Sequence, residues 1–321
     1  MLNHDQPPVD VVDLRKTYPG PVDAVRGITF SVRRGEIFGL LGPNGAGKTT
    51  TVGILTTVVR PSDGRVAVAG HDVQRDPLKV REAIGVVFQD SVLDADFTAR
   101  ENLRLHARLW RVDDGQARVE RLLAAVGLAE RADESVRAFS GGMRRRLEIA
   151  RGLLARPTVL FLDEPTLGLD PIARRDLWQV VRALRDEYGV SILLSTHYLE
   201  EAQGICDRVA IINGGRIIAE GRPLELVRRH GGEVAELTVE SDPGQVRDAL
   251  ERLHIGTATA TAETVTLIST LERSELAAHV NELALEHLGV KTLTTRATTL
   301  NDVFLQLTDA GTDRDLVGAI R

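Results

Sequence analysis

The residues with the plainest chemistry stand nine in a row: Gly42, Pro43, Asn44, Gly45, Ala46, Gly47, Lys48, Thr49 and Thr50 (GPNGAGKTT). Gly42, Gly45 and Gly47 let the backbone take positive φ and approach an anion, so successive N–H groups can point at phosphate oxygens. Lys48 can reach the β- and γ-phosphates as a point charge, and the Thr49 hydroxyl can ligate Mg²⁺. The bland alternative is a glycine-rich turn with an incidental lysine. Against it stands the full G-x4-G-K-T spacing between an apolar run and a helix-compatible one, which points to a nucleoside triphosphate held by its phosphates.

A second group lies at Thr158 to Thr166 (TVLFLDEPT). Val159 to Leu162 has the pattern of a buried strand, delivering Asp163 and Glu164 to its C-terminal end, where open α/β sheets place their ligands. Asp163 could hold Mg²⁺ through water, while Glu164 polarises the water that attacks the γ-phosphorus. Without the glycine loop the two acids would read as a solvated pair opening a turn before Pro165. His197 follows another apolar run, Val190 to Ser195, and could hydrogen-bond the γ-phosphate or hold the attacking water. A lone histidine at a strand end is more often a structural hydrogen-bonder.

These groups need elements to position them. Glu36 to Leu41 suits a buried parallel strand, and Thr49 to Val59 can open as a helix whose positive end faces the phosphates. Asp170-Pro171 is an N-cap followed by proline at the first helical position, with Leu177, Val181, Leu184 and Tyr188 on one face and Gly189 as the stop. Alternating strands and helices imply a mainly parallel sheet flanked by helices. Within Phe139 to Arg156, Ser140-Gly141-Gly142 opens a further helix with Met143, Leu147, Ala150 and Leu154 at helical spacing. Its N-terminus is another anion site, which suggests contact with a nucleotide held by a different copy. In the merely structural reading it is a capped helix with Arg144, Arg145 and Arg146 as a solvated face.

Composition narrows the partners. The 321 residues carry 40 basic and 46 acidic side chains, a net charge of −6, which argues against a general nucleic-acid binder. Lysine occurs only at positions 16, 48, 79 and 291, so Lys48 stands out. The single cysteine, Cys206, excludes an internal disulfide and fits a reducing cytosol. Asp5, Pro7 and Pro8 interrupt any apolar leader, and no apolar run reaches the roughly 18 to 20 residues that span a bilayer.

The order of these segments resembles the ATP-binding-cassette ATPases over about Val9 to Arg228. The phosphate loop matches Gly42 to Thr50, the glutamine loop Gln89, the signature Ser140 to Met143, the acidic strand motif Asp163 and Glu164, and the last two loops Leu167 to Asp170 and His197. The resemblance implies a P-loop nucleoside triphosphatase fold of α/β class, with a mainly parallel central sheet, an antiparallel β N-terminal part and a helical subdomain at about 91–155. It implies Tyr18 stacked on adenine, Gln89 sensing the γ-phosphate and Mg²⁺, and two copies closed head to tail over two ATP molecules. Ser140, Gly141, Gly142 and Asp170 would then join nucleotide contacts in that closed pair. Phe139 and Met143 depart from the commoner LSGGQ form. Phe88 to Leu103, Thr196 to Arg208 and Asn301 to Phe304 resemble the daunorubicin-resistance type of drug-export ATPase, which works beneath a separate membrane subunit at the cytoplasmic face. There the helix from Glu101 to Trp110 would lie near the membrane partner. The alternatives are a soluble cassette acting on nucleic acid or ribosomes, and an exporter of lipid, polysaccharide or ion.

After Arg228, residues Arg228 to Gly232 read as a linker, and 229–321 as a small α+β domain of βαββαβ type. Its strands fall at Ala235 to Glu240, around Ala262-Glu263 within Ala258 to Ser269, and at Val290 to Thr295. Its helices fall at Pro243 to Leu253, on the Leu276, Val280 and Leu283 face, and at Leu300 to Leu307. It holds no catalytic constellation, which suits dimer support or regulation. His254, His279 and His287 lack metal-ligand spacing.

Overall fold

The computed structural model describes residues 6–308 apart from positions 21, 231, 270 and 286–288. The chain divides into two compact units, Met1–Glu220 and Gly221–Arg321. In the first the elements run β1 (Val9–Tyr18), β2 (Val22–Val32), β3 (Ile37–Leu41), α1 (Lys48–Leu55), β4 (Asp63–Val68), β5 (His71–Asp72), α2 (Pro77–Ala83), β6 (Ile84–Val87) and α3 (Ala99–Leu109). They continue as α4 (Gly115–Ala125), α5 (Gly141–Gly152), β7 (Val159–Asp163), α6 (Pro171–Tyr188), β8 (Ser191–Thr196), α7 (Leu199–Ile205), β9 (Arg208–Asn213) and β10 (Arg216–Gly221).

Two sheets form. One is antiparallel, in the order β2-β1-β4-β5, and the other is six-stranded, in the order β10-β9-β3-β8-β7-β6. Every residue of β3, β7 and β8 is buried, which is why these strands read as unbroken apolar runs rather than alternating ones. Strands β9, β3, β8, β7 and β6 pair in parallel, so their C-terminal ends share one edge. The register levels those ends: Leu41 pairs with Thr196, Asp163 with Ser195, and Val87 with Leu162. The two sheets share a core in which the Phe30 and Phe38 rings stack with centroids 5.3 Å apart.

Helix α1 ends at Leu55, short of the expected Val59. The Thr56 hydroxyl donates back to the Val52 carbonyl at 2.9 Å, and the Val58 and Val59 amides both close on the Gly53 carbonyl, at 2.8 and 2.9 Å. Helix α5 likewise stops at Gly152 rather than running on to Arg156. Helix α6 follows its sequence signals: the Asp170 carboxylate accepts from the Ile172 and Ala173 amides, Leu177, Val181 and Leu184 are buried, and Gly189 leaves the helix with φ 63°. Helix α3 starts with a reciprocal capping box between Thr98 and Glu101.

The second unit comprises α8 (Pro223–His230), β11 (Glu233–Val239), α9 (Pro243–Arg252), β12 (Gly256–Ala260), β13 (Thr264–Ser269), α10 (Arg273–Leu285), β14 (Val290–Ala297) and a closing helix at 300–308. Its sheet is antiparallel in the order β12-β13-β11-β14. That is a βαββαβ chain, with Ala235, Leu237, Leu250, Val265, Leu267, Leu276 and Val280 in its core. Arg228, Arg229 and His230, read from sequence as linker, instead close the last turn of α8, where basic side chains face the negative end of the helix. His254 and His279 are exposed, whereas His287 and the side chain of Leu283 lie outside the described residues.

Candidate active site

Four parallel strands bring four sequence motifs to one edge. β3 leads into the glycine loop, β6 into Phe88 and Gln89, β7 ends at Asp163, and β8 runs into His197. Between them lies a cavity of about 220 Å³ lined by Ala24, Asn44, Gly45, Gly47, Lys48, Thr49, Thr50, Gln89, Glu164, Leu167 and His197. Residues spread over more than 170 positions thus meet because their strands are parallel and in level register.

The glycine loop has little room for side chains. At Gly47 φ is 108°, and a Cβ there would meet the Ala24 carbonyl oxygen at 2.4 Å. At Gly42 a Cβ would meet the Ile212 carbonyl oxygen at 2.1 Å. Pro43, Asn44, Gly45 and Thr49 are exposed on the open side, whereas Ala46 is buried. The Lys48 amine is buried under the loop and donates to the carbonyls of Gly42 at 2.7 Å and Pro43 at 3.1 Å. Its third contact is Glu164 Oε1 at 3.4 Å.

Glu164 is held on every side. It takes a left-handed backbone (φ 46°), rare for a side chain of this kind, and its amide donates to the Ser195 carbonyl at 3.2 Å and hydroxyl at 3.1 Å. The same hydroxyl donates to Asp163 Oδ1, so Ser195 fixes both acids at once. The other carboxylate oxygen of Glu164 lies 2.8 Å from His197 Nδ1. Facing a carboxylate, Nδ1 carries a proton and donates it to that oxygen. His197 in turn packs against the Tyr198 ring, 4.0 Å between centroids, and Arg174 lies over that ring at 4.3 Å while pairing with Glu201 at 3.0 Å. Glu201 also accepts from Thr166 and Trp178.

Other predicted residues stand apart. Tyr18, the last residue of β1, is half-buried outside the cavity lining with the Lys16 amine 4.8 Å over its ring. Ser140 caps α5, its hydroxyl accepting from the Met143 amide, and Gly141 and Gly142 face Leu169 and Ala173. None of the three lines the cavity. Asp170 uses its carboxylate as the cap of α6. Met143, left without a role in sequence, is buried and its sulfur accepts from Arg131 at 3.2 Å.

The expected arginine face of α5 holds a correction. Arg144 and Arg146 are half-buried, but Arg145 is only 7% exposed. Its guanidinium donates to the carbonyls of Phe88, Asp163 (2.9 Å), Glu164 (3.0 Å) and Pro165 (2.8 Å) and pairs with Glu148 at 2.8 Å. Position 145 shares a buried face of α5 with Glu148 and Ile149, and the triple-arginine run hid it. Ser195, Thr166, Arg174 and Glu201 escaped sequence reading too, since no local pattern marks them.

A parallel sheet with a lysine-bearing glycine loop and an acidic strand end followed by a buried glutamate defines a P-loop nucleoside triphosphatase. The sequence profile described as ABC transporter matches residues 25–167. Over 300 residues the chain is 41% identical to the daunorubicin resistance ATP-binding protein of Streptomyces coeruleorubidus, covering 92% of this chain and 93% of that one. Over 248 residues it is 44% identical to a Nod factor export ATP-binding protein of Ralstonia nicotianae, covering 74% and 77% of the two chains. Among solved structures, a dimeric ATP-binding cassette in a post-hydrolysis state with ADP and Pi superposes with a TM-score of 0.59 at 25% identity, covering 67% of this chain and 98% of that one. The chain belongs to the ATP-binding-cassette family of transporter ATPases, and it binds and hydrolyses ATP.

Proposed function

We propose that this chain is the ATP-driven subunit of an exporter for a drug-like, largely apolar compound, working as a head-to-tail homodimer beneath a separate membrane subunit. The observation that carries the reading is a division within one chain: Lys48, Gln89, Glu164 and His197 share a cavity, whereas Ser140, Gly141 and Gly142 lie outside it. A signature helix outside its own nucleotide cavity suits the nucleotide of a second copy, and a two-fold axis that sets each loop against the other chain's signature helix closes an isologous pair.

In that pair the loop amides of Gly45 to Thr50 and the Lys48 amine hold the triphosphate, and Tyr18 stacks on the base. Glu164 takes a proton from water as its oxygen attacks the γ-phosphorus and the bond to the bridging oxygen of ADP breaks. His197 keeps that carboxylate in place. Thr49, Gln89 and Asp163 offer hydroxyl, amide and carboxylate oxygens. Three oxygen donors of this kind suit a hard cation that completes its coordination with phosphate and water. These three residues would hold Mg²⁺, which neutralises charge on the β- and γ-phosphates.

One feature supports a membrane partner. A mostly apolar cavity of about 260 Å³ opens among Val58, Val86, Phe88 and Trp110, with exposed Leu109 beside Trp110 on the same chain segment. It begins one residue before Gln89, so a helix of the membrane subunit seated there would feel the state of the nucleotide site. One relative is named for daunorubicin resistance and another for Nod factor export; that similar chains carry names with different compounds supports placing selectivity in the membrane subunit. To the domain at 229–321 we assign dimer support or regulation by the partner. The test is co-expression with a candidate membrane subunit taken from the neighbourhood of this gene. The chain should sediment with membranes only when that subunit is present, and its ATPase rate should then respond to cargo. Salt-sensitive binding to DNA or RNA without any membrane subunit would overturn the reading in favour of a soluble cassette.

A further inference from the structure

We propose that Arg145 is a positioning residue that ties the start of the glutamine-bearing segment to the backbone of Glu164, so that Gln89 and the hydrolytic carboxylate move with helix α5 as one piece. The proposal rests on the reading of Glu164 as the residue that activates water. A guanidinium has five N–H donors in a rigid planar fork, and each one here has an acceptor. Nε donates to the Pro165 carbonyl, Nη2 to those of Asp163 and Glu164, and Nη1 to the Phe88 carbonyl and the Glu148 carboxylate.

Three successive carbonyls, 163 to 165, turn toward one cation because Glu164 takes the left-handed conformation. A regular strand would alternate those carbonyls from side to side. On the other flank the Glu164 amide is held by Ser195. Both peptides around Glu164 are therefore clamped, one by β8 and one by α5, and the carboxylate stays between Lys48 and His197. The fourth carbonyl belongs to Phe88, next to Gln89 and in the wall of the apolar cavity. Any shift of that segment pulls on the same guanidinium that fixes Glu164. Glu148 is the counter-charge that lets the cation be buried, only 3% exposed itself. It touches none of the catalytic backbone contacts given above.

Lysine keeps the charge but has three donors and no fork, so Arg145→Lys leaves at least two of the five acceptors unserved. A misplacement of the base by a fraction of an ångström to one ångström slows the chemical step about 10- to 100-fold without touching phosphate contacts. The test compares the full-length chain with R145K, E148Q and the double variant R145Q/E148Q. The readouts are steady-state phosphate release and titration with the fluorescent probe TNP-ATP. R145K should lose about 10- to 100-fold in kcat, with KM and TNP-ATP affinity within about twofold of the parent. E148Q should melt earlier yet keep kcat within about twofold. The double variant removes both buried charges together, so it folds without an orphaned carboxylate and should show the kcat loss of R145K.

Three results would overturn the proposal: R145K or the double variant hydrolysing at the parental rate, E148Q losing as much kcat as R145K, or R145K losing affinity with kcat preserved. Glu164→Gln separates this from the underlying reading. If that variant hydrolyses normally, Glu164 is not the base and the reading itself fails; if it is inactive while R145K is normal, only the clamp fails.

Discussion

Replacing Glu164 with glutamine isolates the chemical step. The amide has the same shape as the carboxylate but only one acceptor oxygen, so it keeps one of the two contacts, toward Lys48 at 3.4 Å or toward His197 at 2.8 Å. Lys48 retains the Gly42 and Pro43 carbonyls, so its buried charge is not orphaned and the loop stays folded. What is lost is the ability to take a proton. General-base catalysis contributes about 10²- to 10⁴-fold, equivalent to roughly 3–5 kcal/mol of barrier, so kcat should fall by at least about 100-fold. Nucleotide affinity should hold or rise, because one negative charge beside the triphosphate is gone. Phosphate release at saturating ATP gives the rate, and light scattering with ATP reports the pair that hydrolysis would otherwise reopen. Phosphate release within about threefold of the parent would refute the assignment of Glu164, since no other effect of the swap could restore a missing base.

Lys48→Ala should instead raise the dissociation constant for ATP by at least about tenfold in calorimetric titration, since a charge-assisted phosphate contact is worth about 1.5–3 kcal/mol. Gly47→Ala should weaken binding as much, because the loop must move to free its Cβ from the Ala24 carbonyl; an unchanged affinity would show that the loop does not need this conformation. Mixing Lys48→Ala chains with Gly141→Asp chains, each inactive alone, should restore about one quarter of parental ATPase activity, because half of randomly formed pairs are mixed and each carries one intact site of two. No recovery would argue against the head-to-tail pair. In the second unit, burial raises the Asp302 pKa, but hydrogen bonds from Arg296 and Thr299 outweigh it and hold the carboxyl below its ordinary 3.8. A lowered folded pKa stabilises the fold above the ordinary value and loses that contribution as pH falls through it. Asp302→Asn should therefore flatten the acid dependence of the melting temperature between roughly pH 5 and pH 3.

Much of the first unit was legible in the chain. Runs such as Val159–Leu162 and Ile192–Leu194 are apolar without alternation, a pattern that parallel strands buried on both faces require. Asp170-Pro171 and Gly189 marked both ends of α6 through their own backbone preferences. The expected ends of α1 and α5 overran because apolar periodicity continues past the point where a side-chain hydroxyl or a turn breaks the ladder. The basic end of α8 looked like linker because helix-terminal cations and loop cations share a composition.

The chemistry itself was local and therefore readable: a phosphate cradle needs contiguous N–H groups, and an acid at a strand end needs only the strand. Folding decided which of these motifs share a cavity. Strand order and level register put Gln89, Glu164 and His197 around Lys48 while leaving Ser140 outside. It also decided which of three adjacent arginines turns inward. Arg144, Arg145 and Arg146 are alike in sequence, but only the 145 guanidinium meets the carbonyls that a left-handed Glu164 presents. Such pairings depend on strand neighbours and on a backbone angle set by Ser195 31 residues downstream, information that no window of local sequence carries.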